Sequence, residues 1–119
     1  MTHIVAKKYV IKPEYADSVP HSTLEEFKAN VLQHGPNDEK GEDYYISKIR
    51  SLNLPGWAER EAEFVLARSS IVESFDESTK ELTITRTWDS LMQWIDYSDF
   101  ITAANLEEEF VVLYTIEHV

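Results

Sequence analysis

The two ends of this chain constrain its fold more than any other feature. In residues 3–12, His3, Val5, Lys7, Tyr9 and Ile11 fall on one side of an extended strand, and Ile4, Ala6, Lys8 and Val10 on the other. β-branched residues favour that conformation and Pro13 ends it. In residues 109–119, Phe110, Val112, Tyr114, Ile116 and His118 alternate with Val111, Leu113, Thr115, Glu117 and Val119. Both strands carry large apolar groups on both faces. A sheet containing them needs cover on each side.

The residues between supply one cover. Ser22-Thr23-Leu24-Glu25 has the spacing of a capping box, and Leu24, Phe27 and Val31 repeat at helical intervals until Gly35-Pro36. A helix is predicted over about 22–34. Residues 37–43 are polar and read as a loop, and Tyr45, Ile49 and Leu52 fit one stripe of a short helix. Leu54-Pro55-Gly56-Trp57 reads as a turn. Residues 57–66 are helical by propensity, but 64–75 alternate with period two. The alternation predicts a hairpin, with strands over about 64–75 and 81–88 around Asp76-Glu77-Ser78-Thr79-Lys80. Ser90-Leu91-Met92-Gln93 opens a second helix with Leu91, Trp94 and Ile95 as its buried stripe, restarting at Ser98 or Asp99. The order is strand, helix, strand, strand, helix, strand. It predicts a single α+β domain over 1–119 of the ferredoxin-like βαββαβ kind. Its antiparallel sheet has strand order 4-1-3-2 with the helices on one face. A second copy is the simplest cover for the other face, so a homodimer through the sheet is expected.

Composition narrows the function classes. The chain has 119 residues, 22 acidic and 11 basic, with net charge −11. That acidity opposes nonspecific binding to nucleic acid or anionic lipid. No run of apolar residues is long enough to span a membrane, and residues 1–5 lead directly into the first strand with no signal-peptide pattern. Without cysteine there is no disulfide scaffold, thiol nucleophile or cysteine zinc site, which fits a cytoplasmic protein. The acidic words are scattered and read as a solubilising surface. No phosphate-binding glycine loop, G-x-S-x-G word or EF-hand loop is present.

Four words resemble the antibiotic biosynthesis monooxygenase family and its relatives, the dimeric α/β barrels. Ile4-Val5 with Ile11-Lys12-Pro13 resembles the family's first strand, and Leu54-Pro55-Gly56-Trp57 its Pro-Gly-aromatic turn. Residues 82–89 resemble its third strand, and Trp94 with Ser98 and Phe100 its second helix. The resemblance spans most of the chain and implies a dimeric barrel with a ligand cavity between helices and sheet. The heme-degrading members use an Asn, a Trp and a His where this chain has Lys7, Trp94 and Ala104 or Asn105. Only the Trp is retained, and no axial iron donor stands in place. No cofactor is therefore expected. What the resemblance still implies is binding or oxidation of a small aromatic ligand.

The candidate ligand-binding residues are Lys7, Arg86, Trp94, Phe100 and Asn105. Lys7, Arg68 and Arg86 are basic residues within predicted strands of an acidic protein, so each faces an acid of the chain or an anionic ligand. Trp57, Trp88, Trp94, Tyr97, Phe100 and Tyr114 are either core or cavity wall. No two histidines share metal-site spacing, and no metal is expected, although neighbouring antiparallel first and last strands would bring His3 and His118 to one sheet edge. The alternative is a noncatalytic acidic interaction or regulatory domain. A filled core with acids concentrated on one face would favour it, and an open pocket floored by Trp94 and a basic residue would favour the ligand.

Overall fold

The computed structural model describes residues 1–104 and 111–119. Its order is β1 (His3–Ile11), α1 (Leu24–His34), α2 (Glu42–Leu52), α3 (Trp57–Arg68), β2 (Val72–Asp76), β3 (Glu81–Trp88), α4 (Leu91–Ala104) and β4 (Val112–His118). Short 3-10 turns occupy Pro13–Tyr15 and Asn37–Glu39. The sheet runs β2-β3-β1-β4 with every neighbour antiparallel. This α+β architecture of four strands and four helices is compatible with a ferredoxin-like fold enlarged by α2 and α3. Phe110, at the start of the predicted last strand, lies outside the described residues.

The strand predicted over 64–75 is corrected. Residues 64–68 belong to α3, and β2 begins only at Val72. The period-two pattern misled because Leu66, which it grouped with Phe64 and Arg68, is 74% exposed. Burial instead follows Trp57, Phe64, Ala67 and Arg68, which is helical spacing. The good helix formers Glu59 to Glu63 carry the helix up to those positions.

Two helix starts are refined. Thr23, not Ser22, caps α1: its hydroxyl accepts from the Glu26 N–H at 3.2 Å, and the Glu26 carboxylate accepts from the Ser22 N–H at 3.0 Å. Gly35 caps the C-terminus of α1 in an extended conformation, its N–H donating to the Val31 carbonyl, and a Cβ there would lie 2.5 Å from that oxygen. At α4, Ser90 accepts from the Gln93 N–H while Gln93 accepts from the Asp89 N–H. This helix does not restart at Ser98 but runs unbroken to Ala104. Its buried stripe is Tyr97, Ile101 and Ala104; Leu91 is exposed and Trp94 half-buried, so the predicted stripe was set a turn too early.

The helices pack on the sheet face that carries Val5, Tyr9, Ile11, Leu82, Ile84, Trp88 and Val112. Two apolar clusters form there. One joins Trp57, Phe64, Trp88, Tyr97 and Ile101 with Tyr45 and Ile49 of α2. The other joins Tyr9, Phe27, Val31, Leu82, Ile84 and Val112. The opposite face bears Ile4, Ala6, Lys8 and Val10 beside Thr83, Thr85 and Thr87, and a Lys8–Glu117 ion pair of 3.1 Å. Among the described residues no helix is long and apolar enough to cross a membrane.

Candidate functional site

Between the two clusters lies a buried group of charges. The turn after α1 lowers Asp38 and Glu39 onto the sheet, where their side chains are 1% and 4% exposed. Lys7 of β1 donates to Asp38 Oδ2 at 2.9 Å. Arg86 of β3 donates through Nη1 to Glu39 Oε1 at 2.9 Å. Arg68, at the last turn of α3, reaches three elements. It donates to the Tyr97 hydroxyl, to the Asp38 backbone carbonyl at 2.6 Å and to Glu42 Oε2 at 3.4 Å. Its guanidinium also lies 4.3 Å from the Tyr45 ring centroid. Among the described residues, three fully buried polar atoms of this group have no hydrogen-bond partner: Tyr9 Oη, Asp38 Oδ1 and Arg86 Nε.

The field of this group sets its protonation. Burial alone would push the Asp38 carboxyl up, but Lys7 and Arg68 outweigh it and hold the group below its ordinary value. Burial pulls the Arg68 and Arg86 guanidiniums down, and their acidic and phenolic neighbours reverse that. Tyr9 and Tyr97 are pushed well up, first by burial, then by Glu39 and Asp38 at Tyr9 and by Asp38 at Tyr97. Asp38 and the two guanidiniums therefore stay charged, and the two phenols stay protonated, at neutral pH.

Arg86 and Arg68 also floor a cleft of about 450 Å³ between α1 and the β2–β3 hairpin. Its walls are Val31, Leu32, Ile71, Leu82 and Ile84, with the acids Glu25 and Glu39 also at its lining. Lys28 of α1 and Glu73 of β2 form a 2.8 Å ion pair at this lining. The size falls within the range of small-molecule sites.

The residues expected to bind ligand are not all brought together here. Lys7, Arg86 and Trp94 do meet, with Tyr97, but around a void of about 10 Å³. Lys7 and Trp94 also border one of about 40 Å³ beside Asp38 and Tyr114. Neither admits an aromatic ligand. Phe100 lies apart, packed on Trp57 and Phe64 at ring-centroid distances of 5.3 and 6.0 Å. Asn105 lies outside the described residues. Trp57, Trp88 and Tyr97 are buried, so most of the aromatic set forms core rather than cavity wall. Of the four expected residues that are described, Arg86 alone reaches the cleft. Ion pairing, weighed against an anionic ligand for the three basic residues, is what Lys7, Arg68 and Arg86 do with Asp38 and Glu39. Asp38 and Glu39 were missed because they sit in a polar stretch that reads as loop. Their one signal was the shortage of acids inside the strands that hold Lys7 and Arg86.

His3 and His118 do meet, across central β1 and edge strand β4 at the end of the sheet, with Nε2 and Nδ1 2.8 Å apart, and the Trp94 ring stands edge-on to His118 at 4.6 Å. Among the described residues no three His, Asp or Glu side chains are grouped to hold a metal ion. The chain matches no family model, and no curated protein or solved structure matches it.

Proposed function

We propose that this domain binds a small amphipathic molecule in the cleft between α1 and the β2–β3 hairpin, with its anionic end on the arginine floor. One observation carries the reading: an open apolar cleft ends on two buried arginines. Burying a guanidinium is costly unless it is paired, and Glu39 lies within ion-pair distance of both, which fixes them at the foot of the cleft. A ligand anion there is drawn to a site whose charges are already fixed. The apolar walls supply affinity and the arginines orientation. Titration of the protein with small organic acids, followed by methyl resonances of Ile71, Leu82 and Ile84, tests it. Shifts confined to those methyls support the reading, and their absence with every acid overturns it.

The expected homodimer through the sheet belongs to the same proposal. Ile4 and Val10 are half-buried on the open face, and Leu113 is 50% exposed there. A two-fold partner would remove these apolar groups from water at once. Light scattering at micromolar concentration and moderate salt should give twice the mass of one chain. The mass of a single chain would overturn the dimer and leave the cleft untouched.

A further inference from the structure

We propose that His3 and His118 form an open two-histidine site for a divalent transition-metal ion, copper(II) before nickel(II) or zinc. The bound ion ties edge strand β4 to central β1. The two residues are 115 apart in the chain and meet only through the β1–β4 register. His118 stands opposite Val5, and His3 lies two residues before Val5 on β1. Both side chains therefore share the helix-bearing face with Val5, at one end of the sheet. Their Nε2 and Nδ1 atoms are 2.8 Å apart, with ring centroids 5.0 Å apart and planes tilted by 39°.

Imidazole nitrogens hold such ions at about 2.0–2.1 Å, so two of them on one ion stand about 2.8–3.0 Å apart at a right angle and about 3.3–3.4 Å apart at a tetrahedral one. The spacing between His3 and His118 is that of the right angle, which suits square-planar or tetragonal copper(II) and nickel(II). His3 is half-buried and His118 exposed, so both rings have room to turn their lone pairs from each other to a common point. The strand register has already brought the two nitrogens within reach, and no backbone change is needed. As a hydrogen bond alone the contact returns little, because water would satisfy either neutral ring as well. The surroundings favour a cation. Trp88, opposite His3 on β3, is buried, and the Trp94 ring stands edge-on to His118 at 4.6 Å. These indoles give the pair an apolar border, which limits solvent access to the ligands. The net charge of −11 draws cations to the molecule. No third His, Asp or Glu among the described residues joins the pair, so the ion keeps water at its other positions and exchanges.

The test is calorimetric titration of the full chain with copper(II), nickel(II), zinc and magnesium chlorides, with tryptophan fluorescence recorded in parallel. One copper(II) ion should bind per chain, more tightly than nickel(II) or zinc, and it should quench Trp94. His3→Asn and His118→Asn should each weaken copper(II) at least as much as loss of an outer partner of a metal ligand does, roughly 10–100-fold. His34→Asn should change nothing. Trp94→Phe should keep the affinity and lose most of the quenching, which places the ion beside His118. Zinc, which is diamagnetic, should slow hydrogen exchange of the Val119 amide, whose N–H donates to the Ile4 carbonyl at 2.9 Å beside the pair. Absence of copper(II) binding overturns the site. So does binding that survives both histidine variants or is displaced by magnesium, since oxygen ligands of the acidic surface would then hold the ion. Zinc binding without slowed exchange at Val119 overturns the tie between the strands.

Discussion

The two apolar clusters on the helical face are built on different plans. Around Phe64 the rings interlock: Trp57, Trp88, Tyr97 and Phe100 all lie with centroids within 6.4 Å of its ring. Around Leu82 and Ile84 the packing is mostly aliphatic, and α1 stands far enough from the hairpin to leave the cleft. The charged group separates them. Large rigid side chains fill space and close a core, whereas smaller branched ones facing an outlying helix leave room. The aromatic half is closed, and the aliphatic half leaves the cleft proposed above as a binding site.

The hardest way to break this division is to remove its partition. Asp38→Ala leaves Lys7 and Arg68 buried against a missing charge, and should cost about 3–5 kcal/mol in urea melts. The same residue governs acid sensitivity. Its folded carboxyl titrates below the ordinary value of 3.8, so the ionised form stabilises the fold at neutral pH. That stability is fully present above 3.8 and drains as pH falls through the lower folded value. Relative to its own neutral-pH stability, Asp38→Asn should lose less in this window than the wild type.

In the aromatic half, Phe64→Ala should also cost about 3–5 kcal/mol, because its neighbours are too interlocked to collapse into the gap. The variant should leave any binding of a small organic acid in the cleft unchanged if it folds. Trp94→Ala should cost less, roughly 1–3 kcal/mol by the same melts, since Trp94 is half-buried and touches only the margin of that cluster. A loss as large as that of Phe64→Ala would show that the aromatic half extends to the sheet edge. Lys28→Ala should change stability by only about 0.2–1 kcal/mol, as its ion pair with Glu73 is solvent-exposed on one side. Its effect should appear instead as faster exchange of ligand, measured by NMR line shape.

How far the sequence revealed this arrangement depended on the kind of signal each part carried. β1, β3, α1 and the start of α4 have two agreeing signals, a period and a cap or turn, and all four were legible. Residues 64–68 had conflicting signals, and burial of Phe64 against Trp88 and Tyr97, and of Arg68 against Tyr97, decided for helix. The site was less legible. Arg86 and Lys7 stood out as basic residues within strands, but their partners lie 47 and 31 residues away in a turn with no periodicity. Trp94 and Phe100 attracted attention as aromatic residues in a helix, where packing against Trp57 and Phe64 explains Phe100 without a ligand. The cleft itself depends on how far α1 stands from β2, and nothing in a one-dimensional pattern encodes that distance.

The placement of β1 at the centre of the sheet has a consequence for synthesis of the chain. Its two neighbours are β3 and β4, and 70 residues separate Ile11 from Glu81. At roughly 5–20 residues per second, a ribosome needs several seconds to deliver the first of them. During that interval Ile4-Val5-Ala6 and Tyr9-Val10-Ile11 form an apolar strand with both edges bare, the kind of segment that pairs with its own copies. Lys7 and Lys8 interrupt it at the middle, one on each face. In the finished fold they pair with Asp38 and Glu117. Before those acids arrive, the same two charges hold nascent strands apart, as gatekeeper residues do.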